Sequence, residues 1–124
     1  MVSGWYRIEV ERAQDLVRLT LGGFFEEAEI RALSVEFLAA TRQLACGPNR
    51  HLTLCDIRGL NIQGQDIVAA FGQFVGNPTV RSRRLALVTA PSLARLQAKR
   101  LTQARDDVAF FDEESRAMAW LLGA

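Results

Sequence analysis

The 124-residue chain has one histidine and two cysteines, and this scarcity limits its chemistry before any fold is considered. Zinc asks for three or four N, S or O ligands in tight geometry. His51, placed at the exposed start of a strand, and the unclustered Cys46 and Cys55 do not supply them, so no metal and no cofactor is expected. The hydroxyls lack a positioned base and the thiols sit in apolar surroundings, which leaves no nucleophile of the triad kind. No Gly-rich phosphate loop with its lysine occurs, and that removes the usual nucleotide signature. A formal net charge of +1 gives no overall field to collect nucleic acid or an anionic membrane. No segment approaches the ~20 apolar residues that span a bilayer, and no basic, apolar and small-residue succession marks a leader. The expectation is a cytoplasmic protein, neither secreted nor membrane-inserted, with reduced thiols.

What is present is ordinary for a globular protein: 49% hydrophobic and 23% charged residues, enough at this length for one core and one domain over residues 1–124. Charge is uneven. Arg81, Arg83, Arg84, Arg95, Lys99, Arg100 and Arg105 follow one another with no acid between them. Such a run reads as a solvated helix face, or as a site for a carboxylate or phosphate.

Periodicity gives the elements. Tyr6, Ile8 and Val10 alternate with Arg7, Glu9 and Glu11, and Val17, Leu19 and Leu21 alternate with Arg18 and Thr20; the short link between them predicts an antiparallel hairpin. Gly22 and Gly23 break the second strand, and a helix from Glu26 to Leu44 follows, ended by Gly47 and Pro48. Leu52 to Ile57 is a nearly continuous apolar run that reads as a central strand covered on both faces, ending at Asp56 and Arg58. A helix over Gln63 to Val75, a strand over Arg84 to Thr89, and a helix capped by Ser92 come next. That last helix is expected to bury Leu93, Ala94, Ala98 and Leu101. A short strand over Asp107 to Phe111 and a helix capped by Asp112, burying Ala117, Trp120 and Leu121, close the chain. The order β-β-α-β-α-β-α-β-α implies an α/β fold: a mostly parallel five-stranded sheet with an antiparallel N-terminal edge strand.

Leu52 to Gly59, LTLCDIRG, together with Arg84 to Val88, RLALV, and Phe111 to Leu121, FDEESRAMAWL, resembles the STAS superfamily and, within it, the SpoIIAA-like branch, also described as STAS/lipid-transfer-like. The resemblance covers nearly the whole chain. It implies a module that works through protein contacts. In signalling members a serine at the start of the helix after the central strand is phosphorylated to switch partners. The matching stretch here is Asn61, Ile62, Gln63, Gly64, Gln65 and Asp66, which has no hydroxyl, so that switch is not carried over.

In open parallel sheets ligands meet the loops beyond the carboxyl ends of the strands. The ligand-binding candidates on that rim are Phe24, Asp56, Arg58, Ser92 and Arg95. Asp56 and Arg58 read either as a polar anchor or as an ion pair; Ser92 with Arg95 reads as an anion site or as a simple helix cap. Phe24, Phe25, Phe71, Phe74, Phe110 and Phe111 read as plain core or as walls for an apolar guest. The expected function is therefore a non-enzymatic binding or regulatory module acting on a protein partner or on a second copy of itself, through a helix-mediated dimer. The alternative is a carrier of a small apolar or amphipathic acid, with Arg58 or Arg95 on the acid group. A weaker alternative is an enzyme using Asp56 as general base.

Overall fold

Alternating burial along the first two strands builds a hairpin. In the computed structural model, which describes residues 3–103 and 105–123, β1 (Trp5–Glu11) and β2 (Leu16–Gly23) pair antiparallel from Trp5 opposite Gly22 to Glu11 opposite Leu16. They are joined by a 3-10 turn, Arg12–Gln14, that closes on Asp15 in the left-handed region (φ 49°). Then follow α1 (Glu27–Thr41), β3 (Leu52–Leu60), α2 (Gln65–Gly76), β4 (Arg84–Val88), α3 (Leu93–Thr102), β5 (Val108–Phe111) and α4 (Glu114–Leu122). The strands lie in the spatial order β1-β2-β3-β4-β5, with every pair after the hairpin parallel. β3 is the middle strand, as its apolar run predicts.

Strand side chains alternate between faces, and this sorts the helices. Val17, Leu19, Leu21, Cys55, Ile57, Leu85 and Leu87 turn to one face, where Ile30, Leu33, Phe37 and Ala40 of α1 and Ile67 and Phe71 of α2 complete the larger core. Ala98 and Leu101 of α3 pack against the same core from a half-buried position. Leu16, Leu52, Leu54, Ala86 and Val88 turn to the other face and are covered by Ala117 and Leu121 of α4. α4 packs on β3, β4 and β5. Beyond it, on the outer face of the hairpin, the side chains pair with one another: Arg7 with Glu9 (3.2 Å) and Arg18 with Glu11 (2.6 Å), while Arg18 also reaches Glu114 at the start of α4.

Helix ends differ from the sequence reading for local reasons. At the start of α1, Glu29 accepts the Glu26 N–H (2.8 Å), a capping arrangement that holds the acid-rich first turn. The same helix stops at Thr41, whose hydroxyl donates to the Leu38 carbonyl (2.7 Å), and Leu44 is buried from the turn beyond it. α4 begins at Glu114 with Glu113, not Asp112, at the capping position, and the Glu113 side chain makes no capping hydrogen bond. Trp120 is only half-buried, its ring tilted against Phe111 at 5.8 Å. Two members of the basic run, Arg84 and Arg105, are used inside the fold. Arg84 donates to the Trp120 and Gly123 carbonyls (2.9 and 3.1 Å) at the end of α4, where a cation suits the helix dipole. Arg105 forks onto Asp107 (2.9 and 2.8 Å). His51 is buried (3% exposed), against the expectation of an exposed strand start, because its ring packs edge-on against Phe37 of α1. Burial pushes its pKa down, against a hydrogen bond to the Val80 backbone that works the other way.

Candidate functional site

The loops that follow β2 and β3 meet α3 at the carboxyl end of the sheet, and Gln63 ties the three together. Its amide Nε2 donates to the Gly23 and Asn61 carbonyls (3.0 and 2.6 Å), and its Oε1 accepts the Phe25 N–H (2.9 Å). Its backbone is gripped in turn by Gln97 of α3, which accepts the Gln63 N–H (3.2 Å) and donates to the Gln63 carbonyl (3.1 Å). One buried residue thus bonds the β2–α1 loop, its own loop and α3. Gly23 is in the left-handed region (φ 77°), which glycine alone enters without cost. At Gly22 the indole of Trp5 lies so close over the backbone that a Cβ would strike it.

Around this buried joint the rim is apolar and open to solvent. Seven large hydrophobic side chains are exposed among the described residues, and five of them belong to this end: Trp5, Phe24, Ile62, Leu93 and Leu96, between 36% and 59% exposed. Trp5 arrives by pairing with Gly22, Phe24 and Ile62 by following β2 and β3, and Leu93 and Leu96 by opening α3. Ser92 caps α3 by accepting the Arg95 N–H (3.3 Å).

Beneath the rim, between the sheet and helices α2 and α3, lies a cavity of about 100 Å³. Its walls are Leu19, Leu21, Cys55, Ile57, Leu85 and Leu87 from the strands, Phe71 and Phe74 from α2, and Ala98 and Leu101 from α3. Thr53, also on the wall, is 4% exposed, and its hydroxyl has no hydrogen-bond partner. Cys55, buried beside it, has its thiol pushed up to about 12 by burial and then by the neighbouring Asp56 charge.

No protein-family model matches the chain and no curated protein matches it. Solved structures do. An uncharacterised protein of the DUF3478 family with a SpoIIAA-like fold, from Shewanella loihica PV-4, superposes with a TM-score of 0.72 at 16% identity over 95% of this chain and 94% of that one. The chain has a SpoIIAA-like fold. A second solved structure, an anti-sigma factor antagonist from Mycobacterium paratuberculosis, is similar at a TM-score of 0.57 and 14% identity, covering 94% of each chain.

Within this SpoIIAA-like fold the sequence candidates separate. Phe24 stands on the rim as expected, and Ser92 with Arg95 stands there as a helix cap. Asp56 and Arg58 do not end β3: the strand runs on to Leu60, because Gly59 and Leu60 pair with Gly22 and Gly23. Both project from the outer face, opposite the cavity, since Thr53, Cys55 and Ile57 occupy the inner one. They engage each other as a fork, Arg58 donating to both Asp56 oxygens (3.0 and 2.8 Å). Burial works to raise the Asp56 pKa, and the Arg58 hydrogen bonds and charge overcome it, holding the carboxyl below its ordinary value. A general base needs the opposite shift. Phe71 and Phe74 line the cavity and Phe37 joins them, whereas Phe24, Phe25, Phe110 and Phe111 are not on its wall. Leu93 is exposed, contrary to expectation, because Ala98 and Leu101 take the inward face of α3; the side chain of Ala94 lies outside the described residues. Sequence reading missed Gln63, Gln97, Thr53 and Leu96. Thr53, a hydroxyl set inside an apolar strand, was the only one that carried a local signal.

Proposed function

We propose that the chain is a binding module that works through protein contacts at the carboxyl rim of its sheet, with the first turns of α3 as the central contact. The observation that carries this reading is the gathering of Trp5, Phe24, Ile62, Leu93 and Leu96, all exposed, at one end of the molecule. Single exposed leucines mean little, but five large apolar side chains exposed at the same end of the sheet suit a surface that another surface covers. Lys99 and Arg100, exposed farther along α3, give that contact a basic flank. The similarity of fold to an anti-sigma factor antagonist supports a regulatory role of this kind. A phosphorylated-serine switch is not part of this reading, since the stretch Asn61 to Asp66 has no hydroxyl and its Gln63 is engaged in hydrogen bonds.

Self-association through the same leucines is part of the proposal, with a two-fold dimer its simplest form. The test places a photo-cross-linking residue at position 62 or 96, with position 35 on the outer side of α1 as the comparison. Val35 is also exposed but stands apart from the rim. Positions 62 and 96 are expected to give defined cross-linked protein, either a second copy or another chain, and position 35 none. Cross-linking from position 35 alone would refute the assignment of the surface. In sedimentation velocity, Leu96→Glu is expected to remove concentration-dependent dimer while leaving the monomer folded.

A further inference from the structure

We propose that the cavity between the sheet and helices α2 and α3 is a binding site for a small, neutral, mainly apolar molecule of the phenol kind, anchored by the hydroxyl of Thr53. Three observations on the cavity lead there, none of which depends on the rim.

The first is the orphaned hydroxyl. Thr53 Oγ1 is buried without a partner on the cavity wall, and a buried hydroxyl left unbonded costs stability. Its neighbours do not relieve it. Thr102 uses its own hydroxyl on the Ala98 carbonyl (3.0 Å), and Gln63 and Gln97 are engaged with each other and the rim loops. A lone water is a poor occupant for so apolar a space, because a buried water wants two to four polar partners. A molecule with one hydroxyl and an apolar body satisfies Thr53 and covers the hydrocarbon walls together.

The second is size. A dry cavity of roughly 150 Å³ lined by Leu, Ile and Phe takes benzene. The present cavity, about 100 Å³, is smaller than that, so a single ring enters only as the half-buried Ala98 and Leu101 of α3 give way, and a long acyl chain does not fit. Thr53 and Ser82 lie toward the amino end of β3 and β4, while Phe71, Leu87 and Leu101 form the apolar remainder. The guest's polar group therefore points toward the amino ends of the strands.

The third is charge. Arg105 is the one charged side chain on the wall among the described residues, and it is already held by Asp107 and by the Val75 carbonyl (3.3 Å). An anionic guest finds no free cation there. Arg58 is on the opposite face of the sheet, and Arg95 is not on the wall. The ligand is neutral. Entry is across α3, whose inward Ala98 and Leu101 are only half-buried.

The experiment titrates the intact chain with phenol and with benzene while following backbone amide resonances, in wild type, Thr53→Val and Ala98→Leu. Wild type is expected to show saturable shifts at Thr53, Leu87 and Leu101, with phenol bound about three- to tenfold more tightly than benzene, the worth of one hydrogen bond. Thr53→Val keeps the shape of the side chain and should fold, since it removes an unsatisfied hydroxyl. It is expected to lose the preference for phenol, benzene then binding at least as tightly, since the phenol hydroxyl would be buried without a partner. Ala98→Leu, which fills the space from α3, is expected to bind neither. Absence of saturable shifts in wild type would overturn the proposal, as would a phenol preference that survives in Thr53→Val. That variant decides the matter even where Ala98→Leu does not fold.

Discussion

Replacing Gln63 by alanine tests whether the rim is held by one side chain. The amide makes three hydrogen bonds, to Phe25 N–H, Gly23 carbonyl and Asn61 carbonyl. These are not equivalent when lost. The Gly23 carbonyl also accepts the Asn61 N–H (3.2 Å) and stays satisfied, and Asn61 is exposed enough for water to replace the amide. The Phe25 N–H belongs to a residue that is 4% exposed and is left without a partner. An orphaned buried donor costs about 1–3 kcal/mol and each lost bond about 0.5–1.5 kcal/mol, so Gln63→Ala should destabilise the chain by about 2–4 kcal/mol. With a urea slope of about 1.5–2 kcal/mol per M, the midpoint falls by about 1–3 M at unchanged slope. Gln63→Glu separates bonding from volume. The carboxylate still accepts from Phe25 but faces two carbonyls it cannot donate to, so its folded-state pKa is raised. The stability it retains is present at low pH and is lost as pH rises through that raised value. Urea unfolding of the three proteins at neutral and acid pH is the assay. A Gln63→Ala unfolding free energy within about 0.5 kcal/mol of wild type would show that the loops hold without this residue.

Asp107 is kept below the usual carboxylate range chiefly by the Arg105 hydrogen bonds. The unfolded chain therefore takes up that proton first as pH falls, and the stabilisation, full above about pH 4, is lost through the acid limb. Asp107→Asn should flatten that limb and cost about 2–3 kcal/mol near neutrality by stranding a buried guanidinium; an unchanged acid limb would refute the linkage. His51, lowered by burial, should make folding weaken as pH drops below about 6.5, because the unfolded histidine is the better proton acceptor. The difference in urea midpoint between pH 7.5 and 5.5 should shrink in His51→Phe, and an equal difference in both proteins would contradict its buried, neutral state. Cys55, with its thiol pushed up to about 12, should resist a thiol reagent at pH 8 until the chain unfolds, while the half-exposed Cys46 reacts first; prompt modification of Cys55 in the native protein would refute its burial.

Strand and helix order was legible because each element carries its own period: Tyr6, Ile8 and Val10 on β1, or Ile30, Leu33 and Phe37 on α1. The parallel sheet follows from strands that alternate with helices, and the structure has it. What local pattern does not encode is where a strand stops and what a distant segment covers. Asp56 and Arg58 read as the end of β3, yet Gly59 beyond them pairs with Gly22, and this moves both from a rim loop onto the outer face. His51 looked exposed because it opens a strand, yet Phe37 arrives from the preceding helix to bury it. Helical spacing admits more than one stripe on α3, and Leu93 was assigned to the wrong one. Gln63 is invisible to any periodic reading, since its three bonds join segments 38 to 40 positions apart or lie within one loop.

The indole resting across Gly22 gives the molecule an optical consequence. The chain has two tryptophans, and their settings differ: Trp120 is clasped between Phe111 and the Arg84 guanidinium (5.4 Å), while Trp5 stands half in water. With Trp120→Phe, emission comes from Trp5 alone, so whatever lands beside it shifts the spectrum toward the blue. The protein thereby carries its own fluorophore at the place where company is expected, and affinity can be measured on it without attaching a dye.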